Sequence, residues 1–286
     1  MKKVFLLIFT FISLVSFAQR SELGVFAGGG YYLGDLNPNK QFGNTKPAFG
    51  AIYRYNLSTR WALKFNGIFG TIVGDDASTA GFDKQRNLSF KSSMMDFSGQ
   101  IELNFLPYFT GSAKYNFAPY IFAGLSVFSY NPRAQYNGVW YDLQPLGTEG
   151  QGTTAYTGRK TYSLTQIAFP FGIGCKFSLN KLFCFGVEWG MRKTFTDYLD
   201  DVSTTYVDPV QLEAEKGTVA AALSNRSITI PGQPSIEPGK ARGNSRTKDW
   251  YAFAGLTLTM KIITKKNHGC RDFQERRQYN GFFPNE

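Results

Sequence analysis

The sequence contains a single histidine, His268, which lies close to its C-terminal end. Hydrolases and acyltransferases with a serine nucleophile generally need a histidine as the neighbouring general base. The main body of the chain therefore lacks that chemistry. Two acidic pairs, Asp75-Asp76 and Asp200-Asp201, lie in segments rich in turn-forming residues, where solvated charge is the usual role. We therefore expect a protein that is not an enzyme and that carries no cofactor.

Cysteine is almost as scarce, with only Cys175, Cys184 and Cys270. Three residues are too few for a disulfide-stapled scaffold, and their spacing matches no metal site. Cys175 and Cys184 flank a short turn, and a disulfide between them requires both side chains on one face. That register would turn Phe183 and Phe185 away from the neighbouring apolar face. Free thiols are therefore favoured, and a disulfide is the alternative.

Long apolar runs are absent after the first residues of the chain. Lys2 and Lys3 precede an apolar run at 4–15, and small residues at 16 and 18 precede Gln19. This layout predicts a cleaved secretory signal peptide at 1–18, because the run is too short for an anchored membrane helix. Its removal lowers the net charge from +10 to +8, since it holds two lysines and no acid. The remaining basic residues are scattered, which argues against nucleic-acid binding.

Aromatic residues and glycine are abundant instead, with 27 Phe, 16 Tyr and 30 Gly. Residues 95–105 alternate strictly, with Met95 and Phe97 on one face and Asp96 and Ser98 on the other. Strands that face lipid on one side and a polar interior on the other need this period of two. Eight segments show it: 22–32, 48–57, 61–73, 95–105, 119–130, 165–177, 183–195 and 250–262. The fold class predicted is all-β, an eight-stranded antiparallel transmembrane β-barrel of the outer-membrane type.

The connections between these segments alternate in length. Residues 57–60 and 178–181 form tight turns, and 106–118 form a longer one. The long connections are 33–46, 74–86, 131–160 and 196–249, and 209–224 has the composition of a short helix. Outer-membrane barrels place short turns in the periplasm and long loops outside. The predicted organisation is therefore a signal peptide at 1–18, a barrel at 19–263 and a periplasmic tail at 264–286.

The polar faces of the strands converge on one lumen. The charged residues expected there are Arg54, Lys64, Asp96, Glu102, Lys176, Glu188, Arg192 and Lys261. Eight strands leave a lumen that side chains can fill. We expect an ion-paired plug, and a narrow polar pore is the alternative.

The loop at 196–249 carries an acidic run of Asp197, Asp200, Asp201 and Asp208. Carboxylate oxygens are the ligands that calcium prefers, but this spacing matches no known calcium loop. Ordinary loop structure without a metal is therefore predicted, and a calcium site is the alternative.

Several stretches resemble the PorG family, the outer-membrane barrel of the type IX secretion system of Bacteroidetes. They are YLGDLN (32–37), PAFGAIYRYNLSTRWALK (47–64), RNLSF (86–90), APYIFAGLSVFSYNPRA (118–134), YDLQPLGTEGQG (141–152), RKTFTDYLDDVSTTYVD (192–208) and RGNSRTKDWYAFAGLTLT (242–259). Many of these residues belong to long loops, so the likeness is more specific than barrel alternation.

The resemblance implies a role rather than a reaction. Its members associate with a periplasmic ring of PorK-like lipoproteins and PorN-like proteins, which supports protein export and, in some species, gliding motility. The tail is either a frayed end or a docking segment for a periplasmic partner. The docking residues would be Lys265, Lys266, Cys270, Arg271, Phe273, Arg276 and Arg277. The rival functions are a small-solute channel and a surface binding or adhesion barrel acting through loops 131–160 and 196–249.

Overall fold

The computed structural model describes residues 20–38, 40–78, 85–232 and 234–262. These residues comprise the barrel and its connections. The predicted signal peptide and the candidate docking tail, including Cys270, lie outside the described residues.

An antiparallel sheet closes on itself to form the body of the molecule. Its strands are β1 (Ser21–Leu33), β2 (Lys46–Asn56), β3 (Trp61–Asp75), β4 (Ser89–Asn104), β5 (Phe117–Tyr136), β6 (Val139–Asp142), β7 (Thr165–Ser178), β8 (Phe183–Thr194) and β9 (Trp250–Lys261). The sheet order is β4-β3-β2-β1-β9-β8-β7-β5-β6, and pairing of β4 with β5 completes the ring. Eight of the strands make the barrel, and β6 extends β5 as a hairpin. The predicted fold class is confirmed.

Register places the two faces of each strand as the alternation predicts. On β3, β4 and β5 the outward side chains of Phe65, Phe97 and Leu125 are 51%, 60% and 65% exposed. Residues at the intervening positions, such as Lys64 and Glu102, are fully buried in the lumen. An apolar exterior around a polar interior is the arrangement that a bilayer requires of a barrel. Within the described residues, no helix is both long and apolar enough to cross a membrane.

We call the end of the barrel near the short turns the inner end and the opposite end the outer end. The strands extend further than predicted at their outer ends. β5 continues to Tyr136 and turns back into β6, so the prediction of a loop across 131–160 was wrong for its first part. The turn is Asn137-Gly138, with φ of 49° and 82°. Two positive φ values match the twist of a β-hairpin, and Asn-Gly is the sequence that adopts them most readily. This dipeptide was the signal that the loop assignment overlooked.

The long connections fold over the outer mouth of the barrel as a cap. It contains α1 (Leu143–Leu146), α2 (Pro209–Lys216) and α3 (Thr218–Ser224). Asp208 begins α2, because its carboxylate accepts a hydrogen bond from Val210 N at 2.9 Å. Gly217, with φ of 89°, separates α2 from α3. The single helix expected at 209–224 is therefore two short ones.

Small residues on the inner face make room for aromatic rings. A Cβ on Gly172 or Gly190 would lie 2.6 or 2.5 Å from Cζ of Phe122. Both glycines face the lumen on neighbouring strands, where they are paired directly. The ring of Phe122 therefore occupies the space that two side chains would otherwise fill. In this position its centre lies 4.1 Å from Nζ of Lys64.

Candidate functional site

An ion-pair network fills the inner part of the lumen, close to the short turns. Arg54 is its centre: Nη1 lies 2.9 Å from Glu22 Oε2, and Nε lies 3.0 Å from Glu102 Oε2. Glu102 also accepts from Lys176 Nζ at 2.6 Å and lies 3.3 Å from Lys64 Nζ. Each charge is nearly or completely buried. Pairing offsets the cost of removing these charges from water.

Glu188 completes the network from the opposite wall. Its carboxylate accepts hydrogen bonds from Lys64 Nζ and, at 2.8 Å, from the hydroxyl of Tyr120. Three carboxylates thus balance three cations, so the network is neutral as a whole. Arg54 and Lys64 lie directly opposite each other on β2 and β3. These like charges would repel without Glu102 between them.

Sequence reasoning missed Glu22, which shares its lumen face with the other members. The signal was present, because Glu22 follows the same even-numbered alternation as Gly24 and Phe26 on β1. Thr110 and Thr259 donate hydrogen bonds to its carboxylate at 2.6 and 2.8 Å. Thr110 belongs to the connection between β4 and β5, which folds across the inner mouth of the barrel.

Three of the predicted lumen residues, Asp96, Arg192 and Lys261, lie apart from this network. Asp96 accepts a hydrogen bond of 2.5 Å from the hydroxyl of Tyr251, further toward the outer end. Arg192 donates through Nη1 to Gly190 O at 2.6 Å, and its guanidinium lies 4.7 Å from the ring centre of Phe253.

Lys261 departs furthest from the prediction of a lumen position. It is only half-buried, and its Nζ lies 4.3 Å from the ring centre of Phe109 at the inner mouth. Since β9 ends at Lys261, its side chain reaches the rim rather than the middle of the barrel.

Apart from Asp96 and Arg192, apolar and aromatic side chains fill the outer half of the lumen. Phe128, Tyr130 and Phe253 come from the strands, and Tyr162 and Leu199 come from the cap. All are buried and belong to one continuous cluster. The cap therefore closes the barrel by burying apolar side chains, which is a strong driving force for its ordering.

Buried carboxylates organise the cap above this cluster. Glu149 accepts hydrogen bonds from the backbone N of Ser203 and Thr204 at 2.9 and 3.1 Å. It also pairs with Arg242 at 3.1 Å. Next to this pair, Arg86 donates to Arg242 O at 2.7 Å and forms a two-pronged contact with Asp76 at 2.7 and 2.8 Å. These pairs tie distant loop segments to one another.

Four further acids in the cap have pKa values displaced upward by burial. Burial raises the pKa of Asp197 to about 7 and that of Asp201 to about 6. Burial also raises the pKa of Asp200 well above its usual range, with the charge of Asp35 adding to the effect. The pKa of Asp249 is raised in the same way, by burial and by the neighbouring Asp200. The protonated forms of these acids therefore persist to a higher pH than they would in water.

Three acids of the run at 197–208 make contacts with other parts of the protein. Asp208 caps α2, Asp197 accepts from Ser203, and Asp201 accepts from Thr148 and Tyr162. In the part of the chain that the structure describes, no group of three or more His, Cys, Asp or Glu side chains is placed to hold a metal ion.

The two cysteines that flank the β7–β8 turn do not form a disulfide. Cys175 and Cys184 are both free thiols. The register pairs Cys175 with Val187 and Ser178 with Cys184, so the two thiols lie on opposite faces of neighbouring strands.

Among the described residues, the exposed charges at the inner end of the barrel are all positive. Arg20, Arg60, Lys114 and Lys181 are exposed there. The acids of this end among the described residues, Glu22, Glu102 and Glu188, are buried in the ion network. Its solvent-facing surface is therefore basic.

Comparison with known proteins gives a family match and several distant structural likenesses. A family model described as "Domain of unknown function (DUF6089)" matches residues 2–212. No curated protein matches the chain. Among solved structures, Ail of Yersinia pestis is 7% identical with a TM-score of 0.38, over 84% of this chain and 96% of that one.

Two other solved barrels give similar values. Neisserial surface protein A is 7% identical with a TM-score of 0.41, and OprG of Pseudomonas aeruginosa is 9% identical with a TM-score of 0.40. Each comparison covers 84% of this chain and 96% of the other.

Proposed function

The chain belongs to the DUF6089 family, and we propose that it is a non-enzymatic outer-membrane component of a protein secretion machine. In this role it anchors a periplasmic ring, formed by PorK-like and PorN-like proteins, to the membrane. The short turns and the predicted tail face the periplasm, and the cap faces the cell surface. The proposal of a secretion machine rests on the resemblance of the loop and strand sequences to the PorG family.

The filled lumen is the observation that carries a scaffold role. Arg54, Lys64, Glu102 and Lys176 have no solvent-accessible surface, so water does not reach them from either mouth. Above them the aromatic cluster and the cap occupy the outer half. A solute path would need both layers to move, which argues against the small-solute channel.

The basic inner end supports attachment to a partner in the periplasm. Arg20, Arg60, Lys114 and Lys181 present positive charge with no exposed acid beside them among the described residues. Complementary charge on a partner would increase the rate of association and fix its orientation. The sequence of the predicted tail is also basic, with Lys265, Lys266, Arg271, Arg276 and Arg277.

The test is a pull-down of the full-length tagged protein from its native membrane in mild detergent, with co-purified chains identified by mass spectrometry. We expect both ring proteins with the parent chain and a large loss of both with Lys114→Glu/Lys181→Glu. The matched control, Lys160→Glu/Lys240→Glu, reverses two exposed lysines of the cap and should retain the ring.

A solitary barrel in the parent pull-down would refute the scaffold role. Where the parent protein recovers the ring, deletion of 264–286 distinguishes docking by the tail from docking by the basic inner end. Loss of the ring on this deletion, without the lysine changes, assigns docking to the tail. Conductance of the purified barrel in planar bilayers would favour the channel. Retained secretion with lost surface binding after exchange of the cap loops would favour the adhesion function.

A further inference from the structure

A cleft of about 760 Å³ opens on the outer wall of the barrel, separate from the lumen and the inner end. It lies over the outer ends of β3 and β4, between the β5–β6 hairpin and the connection that leads into β2. Thr71 on β3 and Lys91 on β4 line it from odd-numbered, outward positions. We call it the outer cleft, and it faces the membrane rather than the barrel interior.

The height of the outer cleft follows from strand register. Phe69 and Met95 form the outermost apolar pair on these strands, with 55% and 44% of their surfaces exposed. Lys91 lies four residues beyond Met95 on β4. At about 3.3 Å per residue and a tilt of about 40°, this places it about 10 Å above the apolar belt. Each headgroup layer is about 5–8 Å thick, so this height corresponds to the outer edge of the headgroup layer of the outer leaflet.

The charge of the outer cleft is positive. Lys46, Lys91 and Arg226 line it against one acid, Asp75. Asp75 already accepts a hydrogen bond from Ala77 N at 2.9 Å. None of the described carboxylates lies within ion-pair distance of the two lysines. Among the described residues, neither ammonium group is ion-paired with a carboxylate, and Asp75 is the one acid that shares the cleft with them, so both lysines remain available to a ligand.

Two further contacts shape the outer cleft for a bulky anion. Nη1 of Arg226 donates to Ser89 Oγ at 2.9 Å, which fixes the guanidinium at the upper edge. Trp140, at the tip of the hairpin, is 47% exposed, and Nζ of Lys91 lies 5.7 Å from its ring centre. The indole gives the cleft an apolar wall beside its charges. Tryptophan is typical of this depth in a membrane.

We propose that the outer cleft binds the phosphate groups of a phosphorylated glycolipid in the outer leaflet. Phosphate oxygens match the lysine and arginine donors, and the acyl chains would continue down the apolar wall below Thr71. The inference uses the orientation given under the proposed function, with the cap at the cell surface, but it does not depend on the ring.

The experiment is a titration of the purified full mature protein in detergent, followed by native mass spectrometry. The probes are diphosphoryl lipid A, the same lipid with both phosphates removed, and phosphatidylglycerol. Lys46→Gln/Lys91→Gln should weaken binding of diphosphoryl lipid A by about tenfold or more, because two charge-assisted hydrogen bonds are lost. Lys193→Gln is the control: Lys193 is also exposed at the outer end of a strand, 5.7 Å from the ring of Trp250, but does not line the cleft.

We expect Lys193→Gln to bind as the parent does, and the dephosphorylated lipid and phosphatidylglycerol to bind at least about tenfold more weakly. Equal binding by the double variant, by the dephosphorylated lipid or by phosphatidylglycerol would overturn the proposal. Displacement of the lipid by millimolar inorganic phosphate would also overturn it, because a free anion would then suffice. The ring pull-down by the double variant should remain intact, so failure here is distinct from failure of the scaffold role.

Discussion

Glu102 is the acid on which the lumen network depends most. It contacts Arg54 at 3.0 Å, Lys64 at 3.3 Å and Lys176 at 2.6 Å, and it has no exposed surface. Glu102→Gln keeps the size of the side chain but leaves three buried cations facing two carboxylates. Removal of one partner from a buried ion pair costs about 3–5 kcal/mol, so we expect the free energy of unfolding to fall by that amount.

The assay is urea unfolding of the mature protein in lipid vesicles, followed by tryptophan fluorescence. Glu102→Gln/Lys176→Met removes one cation together with the carboxylate charge, and restored neutrality should recover part of the loss. Asp142→Asn is the control for an exposed pair, since Asp142 and Arg133 are 40% and 50% exposed. Exposed pairs contribute little, so this variant should differ only slightly from the parent. A change below about 1 kcal/mol for Glu102→Gln would refute the network as a structural element.

Three further changes test other parts of the structure. Gly190→Ala should lower stability by about 1–3 kcal/mol through overpacking against Phe122, whereas Gly99→Ala has its nearest contact at 3.5 Å and should be tolerated in the same assay. The raised pKa of Asp197 favours folding of the cap below about pH 4, the range of an unfolded aspartate. This contribution to stability is lost as the pH rises toward 7. Asp197→Asn should therefore make hydrogen exchange in the cap less dependent on pH. Gly138→Val, at φ of 82°, should expose the β5–β6 hairpin to faster hydrogen exchange without unfolding the barrel, and unchanged exchange would contradict its turn geometry.

The faces of the strands could be predicted from the sequence because the period of two is a local property. Met95 and Asp96 must point to opposite sides of β4 whatever the rest of the chain does. Seven of the eight charges assigned to the lumen are buried there for this reason. The Asn137-Gly138 turn was equally local, and its dipeptide alone was sufficient to predict the hairpin.

Partner choice inside the barrel was not predictable in this way. Arg54 pairs with Glu22 and Glu102, while Arg192 has neither, although all four share the lumen face. Which charges meet depends on the stagger of the strands around the ring and on rings such as Phe122 that separate layers. Lys261 reached the rim because β9 ends there.

The cap shows the same division between local and tertiary information. Turn-forming composition identified 196–249 as a long connection, and an acidic run was visible within it. Only the folded chain places Asp200 and Asp249 side by side, buries them and raises their pKa values. Sequence alone thus determined the eight strands of the barrel and their two faces, because backbone geometry acts over neighbouring residues. The tertiary structure decided which charges pair, how the lumen is filled and where the outer cleft lies, because these depend on contacts between residues far apart in the chain.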